Sequence, residues 1–320
     1  MNNCYVFSGI IIFFLAVISQ HYWIEYLKSM NFKQVQKVYG PAQYIQNDKG
    51  STPSMGGVIF CFIAFVSIPF NMMSGISFLR QVEIWSLPLM CAFIGFLDDW
   101  IKYLRESSEG FSSIIKLFFQ IFVALVWSVW IYTQYGIYLF PDIQIQNPFA
   151  AISLLVFFTT GIMNAVNVTD GLDGLAAGSS VISLITVLIF LPLRPLPMSM
   201  NITGLAILTA FMWHNAHPAK IFMGDIGSHF IAGLIITLCV YSKTLIAIIP
   251  LGFIFGLEIL SVCFQLTGIY FLKHKFFLMS PFHHHFELKG WSESQIVTRF
   301  WVIHSIGLIS IAYFINLIFQ

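Results

Sequence analysis

Two adjacent carboxylates, Asp98 and Asp99, stand in the segment Gly95-Phe-Leu-Asp-Asp-Trp-Ile-Lys102. If a helix carries them onward, Lys102 lies at i+4 from the first and i+3 from the second, within reach of both. A helix C-terminus opposes carboxylates by about 0.3–1 kcal/mol, so a cation is expected beside them, either Lys102 or a bound metal. An ordinary ion pair at a charged helix end would use the same residues.

Four further segments carry polar side chains at informative spacing. In Asn164-Ala-Val-Asn-Val-Thr-Asp-Gly-Leu-Asp-Gly-Leu175 a polar side chain recurs every three residues, at Asn164, Asn167, Asp170 and Asp173. Gly171 and Gly174 allow tight turns there; helix capping alone needs one such residue. Phe222-Met-Gly-Asp-Ile-Gly-Ser228 sets Asp225 before an apolar run, as an N-cap or as a carboxylate beside free backbone amides that suit an anion. Pro281-Phe-His-His-His-Phe-Glu287 holds three consecutive histidines, of which His283 and His285 point together if the stretch is extended. A surface tract, a Zn²⁺ site, phosphate binding and proton handling all remain open for His283, His284 and His285. Lys49-Gly-Ser-Thr-Pro-Ser-Met-Gly-Gly57 is a Gly- and Ser-rich entry to a helix, a weak anion signal to which Lys49 adds charge.

The five segments together supply carboxylates for a divalent ion, lysines and amides for phosphates, and histidines. That set suits phosphoryl transfer, in which diphosphate charge is neutralised and an attacking oxygen is aligned. Mg²⁺ fits such a site, because it takes a few carboxylates together with phosphate oxygens and water.

The elements that must position these residues lie in a membrane. The chain of 320 residues is 58% hydrophobic and 9% charged, against about 25% charged for a soluble domain. Ten apolar runs read as spans: Tyr5–Ile24, Met55–Met73, Ile84–Leu97, Ile114–Tyr132, Phe149–Met163, Leu175–Leu191, Ile202–Trp213, His229–Tyr241, Leu245–Tyr270 and Phe300–Phe319. The first lacks a basic leader and a cleavage site and reads as a retained span. Loops after the odd-numbered spans, with the span ends they join, hold 12 of the 15 basic residues, which makes that side cytoplasmic and both termini extracytoplasmic. The same side holds 11 of the 14 acidic residues. Positive-inside sorting does not explain that gathering, whereas an active site does. The expected fold is therefore an all-α integral membrane protein, a single transferase domain over residues 1–320, with about ten transmembrane helices and its active site at the cytoplasmic face. Cys4, Cys61, Cys91, Cys239 and Cys263 sit in or beside apolar runs and read as packing residues. The ninth run carries Pro250, Gly252, Gly256, Glu258 and Gln265, which predicts a bent span beside a groove for a lipid chain. A secondary transporter would place its acids near the midplane, often with repeat symmetry, and neither feature is visible.

The motifs FLDDWIK, NAVNVTDGLDGLA, FMGDIGS and SPFHHHFELKGW, in this order from about Gly40 to Trp301, resemble the polyprenyl-phosphate N-acetylhexosamine-1-phosphate transferases. The histidine triplet points to the muramoyl branch rather than the sister branch that uses UDP-GlcNAc. The resemblance implies a bacterial plasma-membrane enzyme taking UDP-MurNAc-pentapeptide and undecaprenyl phosphate to lipid I and UMP with Mg²⁺, as a homodimer. It implies Asp98 as base or, alternatively, nucleophile, and Asp99 and Asp225 for Mg²⁺ and the diphosphate, Asp225 being the direct metal ligand. Asn164, Asn167, Asp170 and Asp173 would line the nucleotide site, with Phe222 on uracil and Asn215, Thr52 and Lys49 at the nucleotide. Lys102, Lys116, His283, His284 and His285 would hold phosphates or the sugar-peptide. Tyr39 and Ser51 depart from the family pattern, which has Asp before Gly-Pro and Gly before Thr-Pro.

Overall fold

The computed structural model describes residues 2–30, 52–73, 75–191 and 195–318. Tyr39, Lys49 and Ser51 lie outside them. The helices are α1 (Asn2–Ser29), α2 (Gly57–Met72), α3 (Phe78–Leu104), α4 (Ser113–Tyr135), α5 (Pro148–Thr169), α6 (Leu175–Phe190), α7 (Pro195–Asn215), α8 (Gly224–Tyr241), α9 (Ile248–Leu251), α10 (Phe253–Thr267), α11 (Phe282–Leu288) and α12 (Glu293–Ile318). A short antiparallel hairpin, β1 (Tyr138–Phe140) with β2 (Ile143–Gln144), turns the chain between α4 and α5. The hydropathy pattern did not single it out, because it is too short to show alternation.

Each of the ten apolar runs falls on one of these helices or, for the ninth, on a broken series of them. Among the described residues, eight helices are long and apolar enough to cross a membrane, α10 being counted on to Leu272. The other two, α2 and α6, have 16 residues each, about 24 Å at ~1.5 Å per residue. The chain is a multi-pass membrane protein. Its starts and stops are local: Ser112 Oγ accepts from the Ile115 amide to open α4, and Asn147 Oδ1 accepts from Ala150 to open α5, with Pro148 in the first turn.

Helix α8 is the axis of the bundle. It is buried without interruption from Ile226 to Cys239, as expected of a helix that is apolar all round. Helices α3, α5 and α2 pack around it. One polar group marks each end of this bundle. At the end away from Asp98, Tyr241 donates to Glu83 Oε1 at 2.9 Å and Arg80 pairs with Glu83 Oε2 at 3.0 Å, with the Tyr135 hydroxyl against both side chains.

The ninth run is broken, as its Pro and Gly content predicted. A 3₁₀ turn (Leu245–Ala247) and α9 lead to Gly252, where α10 starts anew, and α10 closes in a π turn (Gly268–Leu272). In hydrocarbon, backbone groups near such a break need protein partners. Ser183 Oγ donates to Leu251 O at 2.7 Å, and the Ile254 amide donates to His304 Nδ1 at 3.4 Å. Accepting at Nδ1 leaves the His304 proton on Nε2, which faces Ser183 Oγ at 2.9 Å and Ser179 O at 3.1 Å. His304→Leu is expected to destabilise the fold by about 1–3 kcal/mol, the cost of stranding buried polar groups. His304→Gln keeps both an acceptor and a donor and should recover most of the loss. Thermal unfolding in detergent measures both; equal melting temperatures for wild type and His304→Leu would rule this role out.

Candidate active site

Helix α3 runs past its apolar stretch to Leu104, so Asp98, Asp99 and Lys102 share its last turns. Helix α8 begins at Gly224, earlier than its apolar run, which puts Asp225 inside the first turn rather than at the cap. The two helix ends meet. Carboxylate oxygens of Asp98, Asp99 and Asp225 lie within 4.8 Å of one another. Lys102 Nζ reaches all three, at 2.6 Å from Asp98 Oδ2, 3.2 Å from Asp99 Oδ1 and 3.0 Å from Asp225 Oδ2. Lys116, in the first turn of α4, pairs with Asp225 Oδ2 and stands 4.0 Å from Asp98 Oδ2.

Burial makes these pairings obligatory. The side chains of Asp98, Asp99 and Asp225 are 3%, 6% and 14% exposed, and a buried carboxylate without a counter-charge is very costly. The remaining oxygens are also held. Asp98 Oδ1 accepts from the Phe111 amide at 2.8 Å, and Asp99 Oδ2 accepts from the Ile226 amide at 3.2 Å. Asp99 thus spends one oxygen on the positive end of α8, which offsets its unfavourable place at the end of α3. Gly224 has φ +72° and a Cβ there would lie 2.4 Å from Asp99 Oδ2, so only glycine lets the turn pass this close. Asn167, near the end of α5, donates to Asp225 Oδ1 at 2.7 Å.

Around this centre the other predicted residues take distinct places. Asn164 sits one turn before Asn167 and donates to Gln120 Oε1 at 2.8 Å rather than to a carboxylate. Asp170 ends α5, where its amide donates to Val166 O at 3.1 Å. Asp173 belongs to a second cluster: its Oδ2 accepts from the Ala219 amide at 3.0 Å and lies 2.9 Å from His217 Nδ1, while its own amide donates to Glu293 Oε1 at 2.6 Å. Asn215 is buried and clamps two turns, accepting from the Gly174 amide at 3.0 Å and donating to Ile221 O at 2.8 Å. Phe222 is fixed by its backbone, its amide donating to Pro53 O and its carbonyl accepting from Gly56, both at 2.9 Å. Thr52 Oγ1 donates to Ala219 O at 3.4 Å, so the end of the first loop is zipped against residues 219–223.

The histidine triplet is helical, not extended. It forms the start of α11, with the His283 and His284 rings 4.3 Å apart between centroids. His283 is buried, with its ring against Gly171, where a Cβ would stand 2.4 Å from Nε2, and with Nδ1 3.3 Å from Glu258 Oε1. His284 faces Glu287. His285 lies flat on Phe282, and its Nδ1 accepts from the Leu278 amide at 3.1 Å. Burial and then Lys289 hold His285 below the ordinary histidine range, which suits a neutral acceptor. Glu258 lies on α10, fully buried, and accepts from the Phe282 amide at 2.7 Å and the His283 amide at 3.2 Å. It therefore caps α11.

Sequence reasoning passed over Gln120, His217, Ser228, His229 and Glu293. Gln120 and His229 were legible only as lone polar residues inside apolar runs, a signal that membrane burial turns into a functional hypothesis. His217 and Glu293 lie beside the quoted motifs rather than in them.

The family described as "Glycosyl transferase family 4" matches residues 81–243, which include Asp98, Asp99, Lys102, Lys116, Asn167 and Asp225. The chain is similar to the phospho-N-acetylmuramoyl-pentapeptide-transferase of Dictyoglomus turgidum, 36% identical over 312 residues that cover 96% of this chain and 97% of that protein. The protein of the same name from Caldanaerobacter subterraneus is 34% identical over 316 residues, covering 95% of this chain and 96% of its own length. That of Staphylococcus carnosus is 34% identical over 317 residues, covering 95% and 97%.

Proposed function

The chain belongs to the phospho-N-acetylmuramoyl-pentapeptide-transferase family, and on that premise we propose that it transfers phospho-MurNAc-pentapeptide from UDP-MurNAc-pentapeptide to undecaprenyl phosphate, giving lipid I and UMP. The observation that carries the reading is the meeting of Asp98, Asp99 and Asp225 with Lys102 and Lys116 at one end of the bundle. That end is the cytoplasmic one in the orientation favoured by the basic loops, with both termini outside, ten spans in all and a homodimeric assembly.

The donor set fits Mg²⁺. It is all oxygen, as a hard cation requires, and three carboxylates against two lysines leave one formal negative charge for a cation to offset. Asp225 is the proposed direct ligand, with Asp99 beside it. When bound, the ion supplies charge neutralisation for the diphosphate and the departing UMP.

The chain's own residues do the rest. Lys102 and Lys116, which neutralise the carboxylates in this structure, are placed to turn to phosphate oxygens. The Phe111 amide fixes Asp98 Oδ1, leaving Oδ2 to receive the proton of the lipid monophosphate. Its second ionisation lies near pH ~6 by analogy with phosphoesters, so a modest base suffices. The acceptor oxygen then attacks the phosphorus next to the sugar, and the bond to the UMP phosphate breaks. Asp170, Asp173, Asn215, Phe222 and Thr52 shape the nucleotide side. Helix α11 borders the sugar-peptide side, with His284 and His285 on its partly exposed surface and His283 supporting it from within the fold.

Purified protein in detergent, given undecaprenyl phosphate and UDP-MurNAc-pentapeptide, is expected to release UMP. EDTA should abolish release and added Mg²⁺ restore it, and UDP-GlcNAc should not serve as donor. Release with UDP-GlcNAc alone would assign the chain to sister chemistry, and release that persists in EDTA would remove Mg²⁺ from the account.

A further inference from the structure

Behind the carboxylates lies a buried polar chain that the proposed mechanism does not use. Gln120 on α4, and Ser228 and His229 on α8, are fully buried. Asn164 and Asn167 extend the chain along α5. Among apolar helices such groups need partners, because none can turn to water.

The donors and acceptors fix a single polarity. Asn164 Nδ2 commits its two hydrogens to Gln120 Oε1 and to Thr160 O, each at 2.8 Å. Gln120 Oε1 is therefore an acceptor, and its Nε2, which can only donate, faces His229 Nε2 at 3.0 Å. His229 Nε2 then carries the lone pair and Nδ1 the proton. Nδ1 lies 3.3 Å from Ser228 Oγ, which donates in turn to Asp225 O at 3.1 Å. Asn167 Nδ2 donates one hydrogen to Ser228 Oγ at 3.1 Å and the other to Asp225 Oδ1 at 2.7 Å. The path from Gln120 through His229 and Ser228 ends on the Asp225 carbonyl, and Asn167 ties Ser228 to the Asp225 carboxylate.

We propose that His229 and Gln120 are positioning residues for Asp225, holding Asn167 and Ser228 so that the Asp225 carboxylate stays where it serves the cation and the diphosphate. The inference deepens, and rests on, the transferase reading above. A leucine at position 229 would fill the space without desolvation cost. The imidazole is explained by what it holds in place, since the groups behind a metal's own ligands orient them and typically carry a 10- to 100-fold effect.

The test compares His229→Leu, His229→Gln, Gln120→Leu and the double variant His229→Leu/Gln120→Leu. The probe is Mn²⁺ alone, titrated by electron paramagnetic resonance without nucleotide; kcat and KM for the UDP donor are measured separately. His229→Leu is expected to weaken Mn²⁺ binding and lower kcat by about 10-fold each, with KM little changed. His229→Gln should recover most of both, because its Oε1 can accept from Gln120 and its Nε2 can donate to Ser228. The double variant should be no worse than either single one, as members of one chain are not additive. Should His229→Leu fail to fold, Gln120→Met carries the same comparison. Wild-type Mn²⁺ affinity and kcat in folded His229→Leu would overturn the inference. So would losses that follow the melting temperature and are not recovered by glutamine. If the wild type itself released no UMP, the transferase reading would fall, while the Mn²⁺ titrations would still decide the role of His229.

Discussion

Asp98→Asn is expected to lower turnover by roughly 10²–10⁴-fold, the range for loss of a general base, in a protein that still folds. The asparagine Oδ1 can keep the Phe111 amide, so the loop over the site should hold. At the other position an NH₂ group would meet Lys102, which now sits 2.6 Å from Asp98 Oδ2. Proton acceptance is lost there, and one of the three negative charges around Lys102 goes with it. KM for the UDP donor should change far less than kcat, because the nucleotide-side residues lie on other segments. Steady-state kinetics of the variant decide this, and turnover within tenfold (~1.4 kcal/mol) of wild type would remove Asp98 from the proton path.

Gly95→Ala is expected to be nearly as damaging without touching a reacting group. A Cβ at Gly95 would stand 2.2 Å from Asp225 O, against backbone that cannot turn aside. Helices α3 and α8 would have to separate at the level where their carboxylates meet. Overpacking of this kind costs about 1–3 kcal/mol in stability. A shift of ~1 Å between groups that must act together costs about 100-fold in rate. Lys102, which spans Asp98, Asp99 and Asp225 at 2.6–3.2 Å, cannot keep all three contacts if α8 moves. Gly161→Ala is the matched control, since a Cβ there meets nothing within 4 Å. A Gly95→Ala enzyme with wild-type turnover would show that the helix crossing is not what sets the carboxylate geometry.

Much of this site was legible because the chemistry and the helical repeat coincide. The i+3 and i+4 spacing of Lys102 from Asp99 and Asp98 places an ammonium group on two acids whatever the bundle around them. The predicted end-of-span positions also brought Asp225, Asn167 and Lys116 to the same end. What the sequence could not show depends on packing between helices. Glu258 read as a carboxylate at membrane depth, and only the fold shows that α11 lies over it and takes its carboxylate as a cap. The histidine triplet was compatible with an extended strand until that cap made a helix of it. Gln120 and His229 are separated by 109 residues, and only the crossing of α4 and α8 reveals that they form one chain. Asn215 was read as a nucleotide contact by resemblance, and what the fold shows is its amide joining the Gly174 and Ile221 turns. Nine of the apolar runs fall on single helices and the ninth in order on a broken series, and the polar ends of α3 and α8 are longer than hydropathy suggested.

The most direct test of the central claim follows the phosphorus atom. UDP-MurNAc-pentapeptide labelled at the phosphate next to the sugar is incubated with the protein, undecaprenyl phosphate and Mg²⁺, and the label is partitioned between solvent-extractable lipid and water. Transfer of a phospho-sugar predicts that label enters the lipid one-for-one with unlabelled UMP in the water. Label that stays in the water as UDP, while sugar reaches the lipid, would mean that the sugar–phosphate bond is the one broken, and would contradict the account.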